Sequence, residues 1–270
     1  MGLDWEISLS DVEKTKKFIK QNESKIYARK RVKDNITIPP PEINREIIWE
    51  CMFDCLLSTR QRSGPGSPIA VFLNQKPYPL AYEKCLQHDE DIENFIQTQI
   101  GLHPSIQYRN KIAKYAAHNY TWLEKNGGWN RLDKWMKPLI EQRKMNPDPQ
   151  HQSLEREVAH KFDEYFKGIG PKQSRNYLQI LGLTRYEIPI DSRFIRWILE
   201  NQFPLYFDGI PIGELKKKTL ETRLSTPYWY DCILDKLQEL SSKCSIFPVV
   251  LDGCVFASFD REWTEGEIPF

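Results

Sequence analysis

Apolar side chains recur at helical spacing along most of this chain. Ile43, Ile47, Ile48, Cys51, Met52, Cys55 and Leu56 predict a helix over 42–57 with a broad buried face. Shorter helices are expected at 68–73, 82–85 and 91–100. A longer one opens at Tyr108, with the stripe Ile112, Tyr115, Ala116, Asn119 and Leu123, and Gly127-Gly128 ends it. Residues 129–143 form the next helix, before the breaker Asn146-Pro147-Asp148-Pro149. Leu154, Val158, Phe162, Tyr165 and Phe166 mark another, with Ser153 as its expected cap. Helical stripes return at Phe194, Ile195, Ile198 and Leu199, and after Pro227 at Ile233, Leu234, Leu237 and Leu240. The segment 248–256 fits helix or strand on pattern alone. No strand-like alternation runs at length and no repeat is present, so the expected class is all-α.

One stretch, 165–197, departs from plain amphipathic patterning. An apolar helix end runs into Gly168-Ile169-Gly170-Pro171, a second helix follows, and a short extended link leads to a new helix at Asp191. Glycine permits the tight turn, and proline suits the first helical position because its missing N–H would be unpaired there. The unpaired amides of that helix start can face an anion such as a phosphate. This predicts a helix-hairpin-helix. Lys172 sits in the first turn, where helix dipole and amides disfavour a positive charge, so its amine is a candidate nucleophile. A solvated or phosphate-neutralising lysine is the plainer alternative. Asp191, nineteen positions on, precedes a helix and reads by itself as an N-cap.

The order G-I-G-P-K followed by I-P-I-D-S-R resembles the helix-hairpin-helix DNA glycosylases, and the lysine-to-aspartate spacing resembles their 8-oxoguanine DNA glycosylase/AP lyase branch. The resemblance covers about thirty residues. It implies two helical subdomains flanking a DNA-binding cleft: residues 1–57 with 192–270 in one, and 58–191 in the other, ending in the hairpin (154–183) and the aspartate loop. It implies a bifunctional enzyme of base excision repair that removes an oxidised purine, 8-oxoguanine first, through a Lys172 Schiff base and β-elimination with Asp191 assisting. Gly168, Gly170, Gln173, Ser174 and Arg193 would contact DNA. Arg193 stands where many members have histidine. Arg60 or Gln61 would fill the gap left by the extruded base, or the segment is a plain loop. Asn176, Asp252 and Phe256 would line the base pocket; a packed aromatic and a solvated acid is the alternative for the last two. A glycosylase for another damaged base with weak lyase activity, and a non-catalytic DNA-binding module, stay open.

Composition narrows this picture. The chain has 270 residues, 40% apolar and 12% aromatic, enough for a sizeable core. Net charge is only +1, so a nucleic-acid face must come from local asymmetry. The basic run 11–33 is a solvated face or a source of phosphate contacts. Six cysteines lack any C-x-x-C, and Cys232, Cys244 and Cys254 are too widely spaced for the four-cysteine iron–sulfur site of some members. Histidine spacing suggests no metal. The resemblance implies no cofactor beyond a monovalent cation at the hairpin. Expected partners are duplex DNA bearing a damaged base, with no membrane and no obligate protein partner. With no leader and no long apolar run, an intracellular location is expected, cytoplasmic in a prokaryote and nuclear in a eukaryote.

Overall fold

A computed structural model of the protein describes residues 2–64 and 66–259. It contains fourteen α-helices and one small sheet among those residues. In chain order these are β1 (Leu3–Asp4), α1 (Leu9–Asn22), α2 (Ile26–Val32, running on into a π turn at Lys33–Thr37), α3 (Arg45–Leu57), α4 (Pro68–Leu73), α5 (Tyr82–Leu86), α6 (Ile92–Gly101), α7 (Arg109–Lys125), α8 (Gly128–Lys144), α9 (His151–Tyr165), α10 (Pro171–Ile180), α11 (Ser192–Glu200), β2 (Tyr206–Phe207), β3 (Ile210–Pro211), α12 (Lys217–Leu224), α13 (Pro227–Lys243) and α14 (Pro248–Phe259). The all-α expectation holds. The three two-residue strands form an antiparallel sheet in the order β1-β2-β3, joining the N-terminus to the turn after α11.

Helix starts follow local chemistry. Ser8 and Asp11 form a reciprocal capping box at α1, while Asn44 and Ser67 cap α3 and α4 through the amides of Ile47 and Ala70. Ser153 does not cap α9. It lies inside the helix and donates to the Gln150 carbonyl, because the breaker ends earlier than the apolar stripe begins. Gly127, with φ +68°, does turn the chain, but Gly128 already belongs to α8. The ambiguous segment 248–256 is helical.

The apolar residues separate into two cores. α3 to α10 bury one around Trp49, Phe53, Tyr120, Phe162 and Tyr177. The terminal segments bury the other around Trp5, Trp197, Tyr230 and Leu251. The sequence-based division placed 1–57 with the C-terminal part; instead α3 belongs to the middle core, since its wide apolar face packs against α5, α7 and α10. Residues 260–270 of the expected C-terminal subdomain lie outside the described residues. Gly253 brings α14 against α2: a Cβ there would sit 3.1 Å from the Ala28 Cα.

Polar side chains join the two cores at the link 181–190. Glu155 accepts from the Thr184 hydroxyl (2.5 Å) and from the amides of Arg185 (3.0 Å), Tyr186 (2.8 Å) and Glu187 (3.0 Å). Arg175, fully buried on α10, pairs with the equally buried Glu187 at 2.9 Å and with Asp231 of α13 at 2.7 Å. The Tyr230 hydroxyl donates to the Ile188 carbonyl and accepts from the Ile190 amide. The last three residues before Asp191 are thus held from both sides. Among the described residues no single helix is long and apolar enough to cross a membrane.

Removing one partner of a buried ion pair strands the other charge. Arg175→Met is therefore expected to lower unfolding stability by about 3–5 kcal/mol, whereas Arg196→Met, in an exposed pair with Glu200, should change it by under about 1 kcal/mol. Urea unfolding followed by circular dichroism measures both.

Candidate active site

The hairpin turn is built around Gly168 and Ile169. Gly168 has φ +84°, and a Cβ there would lie 2.4 Å from Tyr115 and 2.6 Å from Leu56, so only glycine fits. Ile169 is buried in the middle core. Asn119 of α7, wholly buried, grips the turn by accepting from the Lys167 amide (2.7 Å) and donating to the Lys167 carbonyl (3.1 Å). Gly170 is the N-cap of α10 and has no side chain to satisfy the first amides, which leaves them available to an anion. The carbonyls of Phe166, Lys167 and Gly170 each already accept an internal hydrogen bond, leaving a cation one lone pair on each.

On α10 the half-exposed positions are Lys172, Asn176 and Ile180, four residues apart. This face lines a cleft of about 1130 Å³ between the two cores, together with Gly168, Gly170, Arg60, Gln61, Asp191 and Arg193. Two further expected contacts are more deeply buried. Gln173 is buried, and its amide donates to the Cys55 carbonyl and the Thr59 hydroxyl, both at 2.8 Å. Ser174 is fully buried and donates to the Pro171 carbonyl. The Gln173 amide braces the hairpin against the end of α3, while its oxygen accepts from Lys172 at 3.5 Å and Asn176 at 3.4 Å at the cleft wall. Ser174 bonds within α10.

Asp191 is the N-cap of α11, accepting from the Arg193 amide at 2.8 Å. Its other oxygen takes the Arg193 guanidinium, at 2.9 Å from Nε and 2.6 Å from Nη2. Arg193 is thus folded back onto the aspartate, with its guanidinium 3.8 Å from the centre of the Phe256 ring, rather than held out toward a phosphate. The Phe256 ring stacks on Tyr27 with centroids 3.9 Å apart. Asp252 is buried, not solvated. It accepts from Gln179 at 2.7 Å and lies 3.9 Å from Arg31.

Lys172, Asn176, Asp191, Arg193, Asp252 and Phe256 share a small cavity of about 20 Å³ beside the cleft. Burial lowers the Lys172 pKa, opposed by the nearby Asp191 carboxylate and aided by Arg193. The sequence suggested the helix dipole as the cause; removal from water is the larger one. For Asp191, burial pushes upward, but Arg193 and Lys172 outweigh it and hold the carboxyl below its ordinary range. An amine with a lowered pKa therefore shares the cavity with a carboxylate held ionised.

In the loop after α3, Arg60 is exposed at φ +58°, a conformation uncommon for a side-chain-bearing residue. Gln61 is engaged with Gln107, accepting from its amide at 3.0 Å and donating to its carbonyl at 3.4 Å. Between the two candidates, Arg60 is presented to the cleft and Gln61 braces the loop. Pro65 lies outside the described residues. Sequence reasoning missed Tyr27 and Asp54 at the cleft, and assigned Arg31 only to a basic run. An acid inside the apolar stripe of α3 was the available sign for Asp54.

No protein-family model and no curated protein matches the sequence. Among solved structures, the 8-oxoguanine DNA glycosylase of Methanocaldococcus jannaschii aligns over 91% of this chain and 91% of its own, at 18% identity and a TM-score of 0.53. The chain has that protein's fold. The 8-oxoguanine DNA glycosylase of Thermotoga maritima aligns over 92% of this chain and 91% of its own, at 14% identity and a TM-score of 0.45. Within this fold, Lys172, Asp191 and Phe256 line one small cavity beside the cleft.

Because the folded Lys172 pKa lies below its unfolded value, the unfolded chain binds the extra proton between the two, and stability rises with pH there. Lys172→Met is expected to be more stable than the wild type at neutral pH. That advantage should shrink as the pH climbs toward the ordinary lysine value of 10.5. Urea midpoints of both proteins in neutral and alkaline buffers measure it.

Proposed function

We propose that the protein is a DNA glycosylase with AP lyase activity, acting on an oxidised purine, with 8-oxoguanine the first candidate. The observation that supports this most is the meeting of the Lys172 amine and the Asp191 carboxylate in one cavity opening on the cleft. A base inside a duplex is unreachable, so the nucleotide must be extruded. The amides at the start of α10 hold a backbone phosphate and set register without reading sequence. Arg60 enters the vacated stack.

Neutral Lys172 then attacks the sugar C1′, the bond to the base breaks, and a Schiff base forms; β-elimination of the 3′ phosphate follows. Asp191, kept ionised by Arg193, stabilises positive charge developing on the sugar. A cavity of about 20 Å³ holds about one water, so a base enters only when Arg193 withdraws from the Phe256 face. Asn176 and Asp252 would meet the base edge, and Phe256 its plane. The choice of 8-oxoguanine rests on the hairpin pattern and the shared fold.

The test presents duplexes with one oxidised, alkylated or deaminated base each, in the presence of borohydride. The expected result is release of an oxidised purine with a covalent protein–DNA adduct. Lys172→Gln should lose the adduct, and Asp191→Asn should slow base release by about 10²–10³-fold. Release without an adduct would instead make the protein a glycosylase without lyase chemistry. Retardation of plain duplex with neither would make it a binding module.

A further inference from the structure

Expelling a base leaves negative charge on it, and the Asp191 carboxylate cannot neutralise that charge. Asp191 is clasped by Arg193 through both Nε and Nη2 and is held ionised, so it has no proton to give. The cleft contains a carboxyl in a different condition. Asp54 sits half-buried in the last turn of α3, one turn before the loop carrying Arg60, and lines the cleft wall across from α10. It also lines an adjoining, largely apolar cavity of about 300 Å³, with Ile38, Pro41, Ile47 and Ile180 among its walls, large enough for a planar heterocycle. Among the described residues the Asp54 carboxyl has no hydrogen-bond or ion-pair partner. Its charge neighbours are Arg31 on α2 and Lys172 on α10, with Lys30, Asp34 and Glu50 around the same cavity.

We propose that Asp54 is a further catalytic residue, the general acid that protonates the departing base, with the 300 Å³ cavity receiving that base. This rests on the glycosylase reading of the Lys172 site. In the step, the Lys172 nitrogen forms a bond to C1′ while the bond from C1′ to the base nitrogen breaks, its electron pair going to the base. The Asp54 carboxyl gives its proton to the base, and the carboxylate so formed accepts a proton from the new secondary ammonium on Lys172. Burial supports the role by pushing the Asp54 carboxyl up to about 6, against the pull of Arg31 and Lys172, so that part of it is protonated near neutrality. Two carboxyls driven apart in this way divide acid and charge-stabilising work between them. Asp252 is also raised to about 6, but its carboxylate is held by Gln179 and Arg31, which suits it to contact rather than to proton delivery.

Base departure needs a proton delivered to the base; an abasic site, where no base remains, does not. Asp54→Asn is expected to slow base release by about 10²–10⁴-fold. The fastest-released lesion duplex of the wild type is the probe. Borohydride trapping on a duplex with a ready-made abasic site should fall far less than base release does, and its persistence also reports a folded protein. Asp54→Glu should recover part of the release rate. Wild-type release by Asp54→Asn, or equal loss of release and trapping, would overturn the assignment and leave the glycosylase reading standing. A wild-type protein that neither releases any base nor traps abasic DNA would overturn both.

Discussion

The buried pair of Arg175 and Glu187 is the constraint on which the site depends. Both side chains are sealed from solvent, and each is anchored to a different part of the reacting geometry: Arg175 to the helix that carries Lys172, Glu187 to the link that delivers Asp191. Glu155 fastens the start of that link through three backbone amides and a hydroxyl, and Tyr230 fastens its end. An ion pair this deep adds little net stability over an apolar replacement, because desolvation offsets the attraction. Its directionality is what an apolar contact lacks. The link has no regular secondary structure to set its path, so side-chain hydrogen bonds set it.

That fixed path brings together two groups with opposite needs. For the proposed reaction Lys172 must lose a proton and Asp191 must keep none, and one cluster serves both. Burial depresses the amine, and Arg193 stabilises the carboxylate while opposing a second positive charge nearby. The same arginine lies across Phe256, which itself lies on Tyr27, so the aromatic wall is covered until something displaces the guanidinium. Charge placement and access to the pocket are therefore coupled through one residue.

Much of this was legible in the sequence, for identifiable reasons. Helical spacing is a local signal, and it located α3, α4, α10 and α13 closely; the glycine turn, Lys172 and the Asp191 cap are likewise local. What the sequence could not carry were features set by long-range packing. The α3 stripe says that the helix is buried, not against which core, and so it was grouped with the wrong subdomain. Ser174 sits two residues from Lys172 in sequence, yet the helix turns it inward. Arg193 offers a charge whose partner, two residues away, is seen only once the cap has formed. The solvated-acid alternative for Asp252 fails on a contact that an acid in an apolar run does not reveal, the Gln179 side chain opposite it.

The apposition of Lys172 and Asp191 is open to direct measurement. The pKa of Lys172, followed by NMR on side-chain-labelled lysine with Lys172→Met to assign the signal, should lie below the ordinary lysine value. It should fall further in Asp191→Asn, because the lost carboxylate had favoured the protonated amine. A value that Asp191→Asn leaves unmoved would mean that the two groups do not face each other, and an ordinary lysine value would mean that burial does not depress the amine.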